Sequence, residues 1–218
     1  MDWTMIKQMF PDLLAGAGIT FLISILSIIL GTFFGFLLSL MRLSPNKVLK
    51  VLAYVYTWIF RGLPLLIILF GVYYALPFGI TLTAFQAGLL GMTLNAAAYK
   101  AEIIRSGLLA IPKGQIEAAE AIGMNPWQIM WKIKLPQTMR LIVPPYMSNS
   151  IALLKSSAQL SVITVSDLML RAQSHFSSTY KPLETLGTAA VLYLLMTSLM
   201  MMVQAWSEKK LKITQKLF

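Results

Sequence analysis

An uncharged apolar stretch of 29 residues, residues 13–41, constrains the fold of this chain more than any other feature of its sequence. A helix that crosses a bilayer needs about 20 predominantly apolar residues. The stretch is too long for the core of a signal peptide and has no small-residue cleavage pattern, so we interpret it as a retained span. Four later segments also have the length and apolar character of spans: residues 51–76, 84–104, 141–165 and 186–206. The sequence therefore predicts an all-α, polytopic membrane protein with about five transmembrane helices.

Composition supports this class and excludes several others. Only 12% of the residues are charged, about half the share of an ordinary soluble domain. The chain has no cysteine, which excludes disulfides and thiolate metal sites, and His175 alone cannot form a histidine-rich metal site. The net charge of +10 does not predict nucleic-acid binding, because the basic residues are scattered between apolar segments. No linker or repeat divides the chain, so we predict one membrane domain over residues 1–218.

The basic residues are divided unequally between the two predicted sides of the membrane. Thirteen of the 18 lysines and arginines lie between spans one and two, between spans three and four, or after span five, and Lys100 is counted among them. The opposite side keeps Lys7, Arg171 and Lys181. Because lysine and arginine concentrate in cytoplasmic loops, the N-terminus is predicted to lie outside and the C-terminus in the cytoplasm.

The loop between spans three and four, residues 111–137, has the local signals of a helical hairpin. Residues 114–122 form helices readily, and Gly123 can end that helix with a positive φ. Asn125 is an N-cap candidate with Pro126 at the first helical position, which predicts a second helix that runs to about Lys134 and stops before Pro136. An interfacial hairpin without a partner and a docking element for another protein both fit this pattern.

Polar residues inside the predicted spans are candidates for function, since charged groups are costly in a bilayer. Lys155, Ser156, Ser157 and Gln159 make one side of span four polar, and we predict that this side lines a translocation path. A lysine that snorkels or pairs with a buried acid is the alternative. Asn95 in span three is a further candidate for substrate binding, although an interhelical hydrogen bond would explain it too.

Several other polar residues have structural interpretations. Arg61 precedes a break at Gly62 and Pro64, where ion pairing at a helix kink is favoured over substrate contact. Glu102 and Arg105 are three residues apart and are expected to pair. Residues 167–184 are predicted to lie outside, where Asp167, Arg171, His175 and Lys181 fit either a docking surface or a solvated loop.

The hairpin carries a motif of Glu-Ala-Ala, three residues, Gly, nine residues and Ile-x-Leu-Pro, which resembles the signature loop of permeases of ATP-binding-cassette (ABC) importers. Every fixed position matches; the matching residues are Glu117, Ala118, Ala119, Gly123, Ile133, Leu135 and Pro136. The resemblance implies a coupling helix seated on an ATP-hydrolysing subunit. It assigns that role to Glu117, Ala118, Ala119, Glu120, Gly123, Met124 and Pro136.

Three further stretches resemble the polar amino acid branch of that family: residues 61–66, 73–77 and 98–107. They favour amino acids over sugars, phosphate or metals as the substrate. The chain departs from the pattern at Leu63, where relatives commonly have threonine, and at Ser156, where they tend to have an acidic residue. The second departure weakens any assignment of a cationic substrate side chain to this subunit.

The resemblance implies a type I ABC importer permease in a bacterial plasma (inner) membrane. Its expected partners are two ATP-binding subunits, a second permease copy or a paralogue, an extracytoplasmic amino-acid-binding protein and membrane lipid. No catalytic residue, cofactor or metal is expected in this chain, which has no Walker A motif, so ATP and Mg²⁺ are expected on the partner. A stand-alone secondary transporter or channel is the alternative, and so is a membrane scaffold or enzyme, but neither internal repeats nor a catalytic motif is visible.

Overall fold

The structure, a computed structural model, describes residues 2–75 and 80–211, and every regular element in these ranges is a helix. The predicted all-α class is therefore confirmed. Leu76, Pro77, Lys212 and Lys216, which enter the motif and charge arguments, lie outside the described residues. The elements are α1 (Trp3–Leu43), α2 (Lys47–Gly62), α3 (Leu65–Tyr74), α4 (Ala84–Leu109), α5 (Lys113–Ala121), α6 (Pro126–Ile129), a π-helical segment (Met130–Lys134), α7 (Leu135–Ser156), a 3₁₀ helix (Ser157–Ile163), α8 (Leu168–Thr179) and α9 (Pro182–Lys210).

Two helices, α1 and α9, are long and apolar enough to cross a membrane individually. With 41 residues, α1 is about 60 Å long, twice the thickness of the hydrocarbon core, so it extends well beyond it. Helices α4 and α7, the predicted spans three and four, have the required length but contain more polar residues. Their place in the bundle explains this composition, because α4 packs against α1, α2, α3 and α7.

The predicted second span is not one continuous helix. It breaks between Gly62 and Leu65, and α2 and α3 meet at an angle of 106°. Pro64 has no N–H to donate to the carbonyl of Phe60, and Leu63 before it adopts an extended conformation. The amide of Asn95 on α4 donates to that freed carbonyl at 3.1 Å. Tertiary contact with α4 thus compensates for the hydrogen bond that the proline removes.

Glycines on α1 bring its backbone close to α4. A Cβ atom on Gly31 would lie 2.5 Å from the Cβ of Ala96, and one on Gly35 would lie 2.9 Å from the Cβ of Lys100. Small residues allow such approaches between membrane helices, where dispersion contacts rather than hydrophobic burial hold helices together. The α1–α4 pair is therefore the tightly packed centre that positions the polar residues of α4.

Candidate functional site

The loop between α4 and α7 forms the predicted helical hairpin. Helix α5 ends at Ala121, and Gly123 has φ +81°, the left-handed conformation that favours glycine. Asn125 caps α6 by accepting a hydrogen bond from the N–H of Gln128, whose side chain accepts one from the N–H of Asn125 in return. The predicted turn and N-cap are confirmed, and the turn fixes the direction in which α5 projects.

The motif residues of α5 lie on two different faces. Glu117, Ala118 and Glu120 are exposed, whereas Ala119 is buried and its carbonyl accepts a hydrogen bond from the N–H of Met124. Ala119 and the half-buried Met124 therefore hold the hairpin together, and the neighbouring motif residues form its outer surface. Sequence reasoning missed Ile122, which is 78% exposed at the tip. Its signal is an isoleucine directly before a glycine turn, where a solvated hairpin would carry a polar residue.

Helix α6 carries the aromatic residues of the hairpin. The rings of Trp127 and Trp131 are 5.3 Å apart, and both side chains are largely exposed. Behind them a groove of about 800 Å³ separates the hairpin from the bundle, and apolar residues such as Phe36, Leu108 and Ile142 line it. The hairpin thus stands beside the bundle across an apolar groove.

The prediction that the second hairpin helix stops before Pro136 is wrong. Helix α6 continues through the π-helical segment into α7, so that Pro136 lies at the start of α7. The N–H of Leu135 donates to the carbonyl of Met130, five residues earlier, in the wider turn of a π helix. That turn accommodates the missing N–H of Pro136 without ending the helix. The hairpin is consequently continuous with α7.

Glu102 lies at the centre of a cluster of arginines where α1, α2 and α4 meet. Arg105 forms a close ion pair with one carboxylate oxygen, as predicted. The other oxygen lies 3.8 Å from the guanidinium of Arg61 and 4.0 Å from that of Arg42. Arg61 also lies over the ring of Tyr99. These contacts agree with the structural role predicted for Arg61 beside the break at Gly62 and Pro64.

The placement of Lys100 in a cytoplasmic loop is wrong. Its side chain is fully buried within α4, donates a 2.9 Å hydrogen bond to the hydroxyl of Ser150 on α7, and lies 3.5 Å from the centre of the Tyr146 ring. The Tyr146 hydroxyl is in turn 2.6 Å from that of Thr32 on α1. This network joins three helices, and the small, uncharged residues before Lys100 were the signal that the helix was still inside the bundle.

The predicted path residues lie at the end of α7 and in the 3₁₀ helix. Lys155 is exposed, Ser156 and Gln159 are half-buried, and Ser157 is buried and donates to the carbonyl of Leu154. The Gln159 carbonyl oxygen is buried and has no hydrogen-bond partner among the described residues. Within that part of the chain no hydrogen bond or ion pair connects Asn95 to residues 155–159. The structure therefore groups the four α7 and 3₁₀ residues and leaves Asn95 at the α2–α3 break.

The segment after the fourth span does not expose all of the charged residues predicted to form a docking surface or a solvated loop. Asp167 is fully buried and caps α8 by accepting a hydrogen bond from the N–H of Leu170, so its predicted exposure is wrong. Burial raises its pKa to about 6, even though backbone N–H groups act in the opposite direction.

Three other polar residues predicted to lie outside contact the N-terminal part of the chain. Arg171 and His175 contact Asp12 on α1, and Lys181 lies 3.0 Å from Asp2. Burial alone would raise the pKa of Asp12, but its hydrogen bonds to His175 and Arg171 outweigh that effect and lower it. Helix α8 is thus held to α1 by the Arg171–Asp12 ion pair and the His175–Asp12 hydrogen bond.

Comparisons with known proteins agree with this geometry. The family model described as the binding-protein-dependent transport system inner membrane component matches residues 27–213. A Rickettsia bellii protein assigned to a glutamine transport system, the permease protein GlnP, is 40% identical over 91% of this chain and 92% of its own length. The arginine transport system permease protein ArtQ of Bacillus subtilis is 37% identical over 97% of this chain and 98% of its own length.

A solved structure has the same fold. The crystal structure of an amino acid ABC transporter with histidines contains a chain that superposes with a TM-score of 0.89 at 33% identity, over 96% of this chain and 99% of that one. The family model and these relatives each cover far more than half of the sequence. The chain therefore belongs to the family of inner membrane components of binding-protein-dependent transport systems.

Proposed function

We propose that this chain is the permease subunit of an ATP-driven importer of polar amino acids. The observation that carries the proposal is the hairpin at residues 111–137, which combines an exposed acidic and small-residue surface with the exposed apolar side chains of Ile122, Trp127 and Trp131. Exposed apolar patches rimmed by polar residues mark sites of contact with other molecules. The amino acid class is supported by the glutamine and arginine systems of the relatives and by the histidines bound to the solved transporter.

The hairpin surface fits a soluble ATP-binding subunit. Glu117 and Glu120 offer two carboxylates one turn apart to basic residues, and Ala118 between them permits close approach. Two such subunits, one beneath each permease copy, bind ATP and Mg²⁺ and supply the energy. This arrangement places the hairpin in the cytoplasm, the N-terminus outside and the C-terminus inside.

Continuity between the hairpin and α7 provides the mechanical link. Helix α6, the π-helical segment and α7 follow one another without a break, and α7 leads to Lys155 and the 3₁₀ helix. A tilt of the hairpin as the ATP-binding subunits close is therefore transmitted along α7 to the predicted path residues. The π-helical segment keeps this connection helical across Pro136, since the N–H of Leu135 still donates to the carbonyl of Met130.

The translocation path runs beside the polar residues at the end of α7 and is completed by a second permease copy or a paralogue. Lys155 interacts with the substrate carboxylate, while Ser156 and Gln159 offer hydrogen bonds to its polar groups. An extracytoplasmic binding protein delivers the amino acid. Since Ser156 is neutral, this subunit contributes no carboxylate at that position to a cationic side chain.

Reconstitution tests this proposal. The permease, its ATP-binding subunit and its binding protein are incorporated into proteoliposomes, and ATP hydrolysis and uptake are measured with a panel of amino acids, sugars and metal ions. We expect stimulation by one or more polar amino acids and uptake that requires ATP. Stimulation by sugars or metals alone, or uptake without the ATP-binding subunit, would contradict it.

The Lys155→Met variant tests the path residues separately. We expect it to assemble and to hydrolyse ATP while uptake falls by about tenfold or more, the effect of losing an interaction of about 1.4 kcal/mol with the moving substrate. The matched variant Lys209→Met, at the exposed end of α9 and outside both the hairpin and the path, should transport at a rate closer to that of the unmodified protein. Unchanged uptake in Lys155→Met would remove Lys155 from the path.

A further inference from the structure

A small polar pocket lies where the C-terminal end of α1 meets α2 and α4. Its volume is about 400 Å³, and its lining includes Arg42, Arg61, Glu102, Tyr54, Thr57 and Trp58. It lies apart from the hairpin tip and from the predicted path residues at the end of α7. The proposed transport function assigns no ligand to it.

The charges at this pocket are not balanced. Three arginines share one carboxylate, and Arg105 occupies one of its oxygens. Arg42 and Arg61 lie 4.0 and 3.8 Å from the second oxygen, too far for a hydrogen bond. Arg42 donates to the hydroxyl of Thr57, whereas Arg61 donates no hydrogen bond to any residue in the described ranges. Two guanidinium groups thus retain unused N–H donors around a concave site.

The same face of α2 extends the positive charge along the helix. Lys47, Lys50 and Tyr54 are spaced three and four residues apart, and Arg61 follows seven residues later, which places all four on one side of the helix. All of them are exposed. A basic stripe of this kind attracts anions, and guanidinium groups pair with phosphate oxygens through two parallel hydrogen bonds.

An exposed apolar face lies beside that stripe. Val48, Leu52, Val55 and Ile59 are spaced four, three and four residues apart, and between 37% and 66% of each is exposed. Trp58, at the border between the two faces, is a residue type that concentrates at membrane–water interfaces, and so is Tyr54 within the basic stripe. A helix with one basic and one apolar face lies in the interface and contacts both headgroups and acyl chains.

We propose that this pocket binds the phosphate group of an anionic phospholipid. Arg42 and Arg61 hold the phosphate, Lys47 and Lys50 extend the favourable field, and the acyl chains lie along the apolar face of α2. Glu102 weakens the site, since its carboxylate competes for the same guanidinium groups. A free phosphate shares the headgroup chemistry, but it would leave the adjacent apolar face uncovered.

Native mass spectrometry of the purified permease with its ATP-binding subunits tests the proposal. The complex is titrated with short-chain phosphatidylglycerol and, separately, with phosphatidylcholine of the same chain length. We expect preferential binding of phosphatidylglycerol, which the Arg42→Gln/Arg61→Gln double variant weakens by roughly thirtyfold, because each basic residue near an anionic headgroup contributes about fivefold. The matched double variant Lys209→Gln/Lys210→Gln, which removes two exposed charges from the end of α9, should change binding little, because neither lysine lines the pocket.

Two further variants distinguish loss of the site from loss of the fold. Arg42→Lys/Arg61→Lys keeps the charge and should retain most of the preference, whereas Glu102→Gln should bind phosphatidylglycerol more tightly than the unmodified chain, a gain that misfolding cannot produce. Equal binding of the two lipids, as expected if a second permease copy closes the pocket, or undiminished binding in the glutamine double variant would overturn the proposal. Displacement of phosphatidylglycerol by millimolar inorganic phosphate would overturn a lipid as the source of the phosphate.

Discussion

Single polar residues connect the helices of this permease at points where the membrane offers no alternative partner. Lys100 reaches from α4 to Ser150 on α7 and to the ring of Tyr146, and Asn95 reaches from α4 to the carbonyl left free by Pro64. An unpaired polar group costs several kcal/mol in a hydrocarbon environment, so each of these contacts also specifies how its helices must pack.

The Lys100 network predicts an unequal effect of two substitutions. Ser150→Ala leaves a buried ammonium group without its hydroxyl partner and should lower the free energy of unfolding by about 1–3 kcal/mol. Lys100→Met replaces the ion with an apolar chain of similar volume and should be neutral or stabilising. Thermal unfolding in detergent measures both, and adding Ser150→Ala to Lys100→Met should then cost little. The opposite order of stabilities would contradict a charged Lys100 in this network.

Asp167 predicts a pH dependence of stability. Its folded-state pKa of about 6 lies above the ordinary value of 3.8, so the unfolded chain releases this proton at a lower pH than the folded one does. Below pH 3.8 this carboxyl does not change the free energy of unfolding. The free energy of unfolding falls as the pH rises from 3.8 to about 6, and above pH 6 the full loss, at most about 3 kcal/mol, is present.

The Asp167→Asn variant isolates that contribution, because asparagine is also a good N-cap but does not ionise. We expect the variant to unfold at a higher temperature than the unmodified chain at pH 7.5 and at a similar temperature near pH 4. A difference that is independent of pH would show that burial of this carboxyl does not control the effect.

At the scale of elements, some features of the structure follow from local sequence, and others depend on contacts between elements. The turn at Gly123 and the cap at Asn125 are predictable because one glycine and one asparagine act on their own neighbours. The effects of the two prolines on their helices do not follow from proline alone. Pro64 ends its helix, and Asn95 of α4 satisfies the carbonyl that this break leaves free, whereas Pro136 is accommodated by a π-helical turn and its helix continues.

The same division explains which parts of the candidate site the sequence predicts. The exposed motif residues of α5 follow from spacing and helix direction. The burial of Lys100 and Asp167 does not follow from the sequence. A charged residue near the end of an apolar segment is predicted to be exposed unless its partners on other helices are known. Hydropathy likewise predicts α1 and α9 well and α4 and α7 poorly. The inner helices of a bundle carry more polar residues, because these residues form hydrogen bonds with neighbouring helices.

Packing of α1 against α4 predicts a contrast between two glycines of one helix. In Gly31→Ala the new methyl group would lie 2.5 Å from the Cβ of Ala96 and 3.2 Å from its backbone, which forces the helices apart. We expect a loss of about 1–3 kcal/mol, which corresponds to a decrease in the unfolding temperature of about 3–10 °C. Gly18→Ala meets no atom within 4 Å and should be neutral or slightly stabilising. Equal effects of the two variants would rule out close α1–α4 contact.

At the scale of the whole molecule, the bundle places three functions at separate positions. The hairpin α5–α6 lies at one end, the predicted path residues lie at the far end of α7, and α8 is held to the N-terminal part of α1 by the contacts of Arg171 and His175 with Asp12. Helix α7 connects the first two without a break. This separation fits the proposed function, in which a soluble motor acts near one end of α7 and the substrate passes near the other.

Cross-linking at the hairpin tip tests the central claim most directly, and the natural absence of cysteine makes a single-cysteine protein available. Ile122→Cys is treated with a short thiol-to-amine cross-linker in membranes that contain the ATP-binding subunit, and Ser177→Cys on α8, also exposed, serves as the matched control. We predict a cross-linked product between permease and ATP-binding subunit for Ile122→Cys and none for Ser177→Cys. A product with Ser177→Cys alone, or with neither variant in an intact complex, would contradict the role of the hairpin as the contact with the motor.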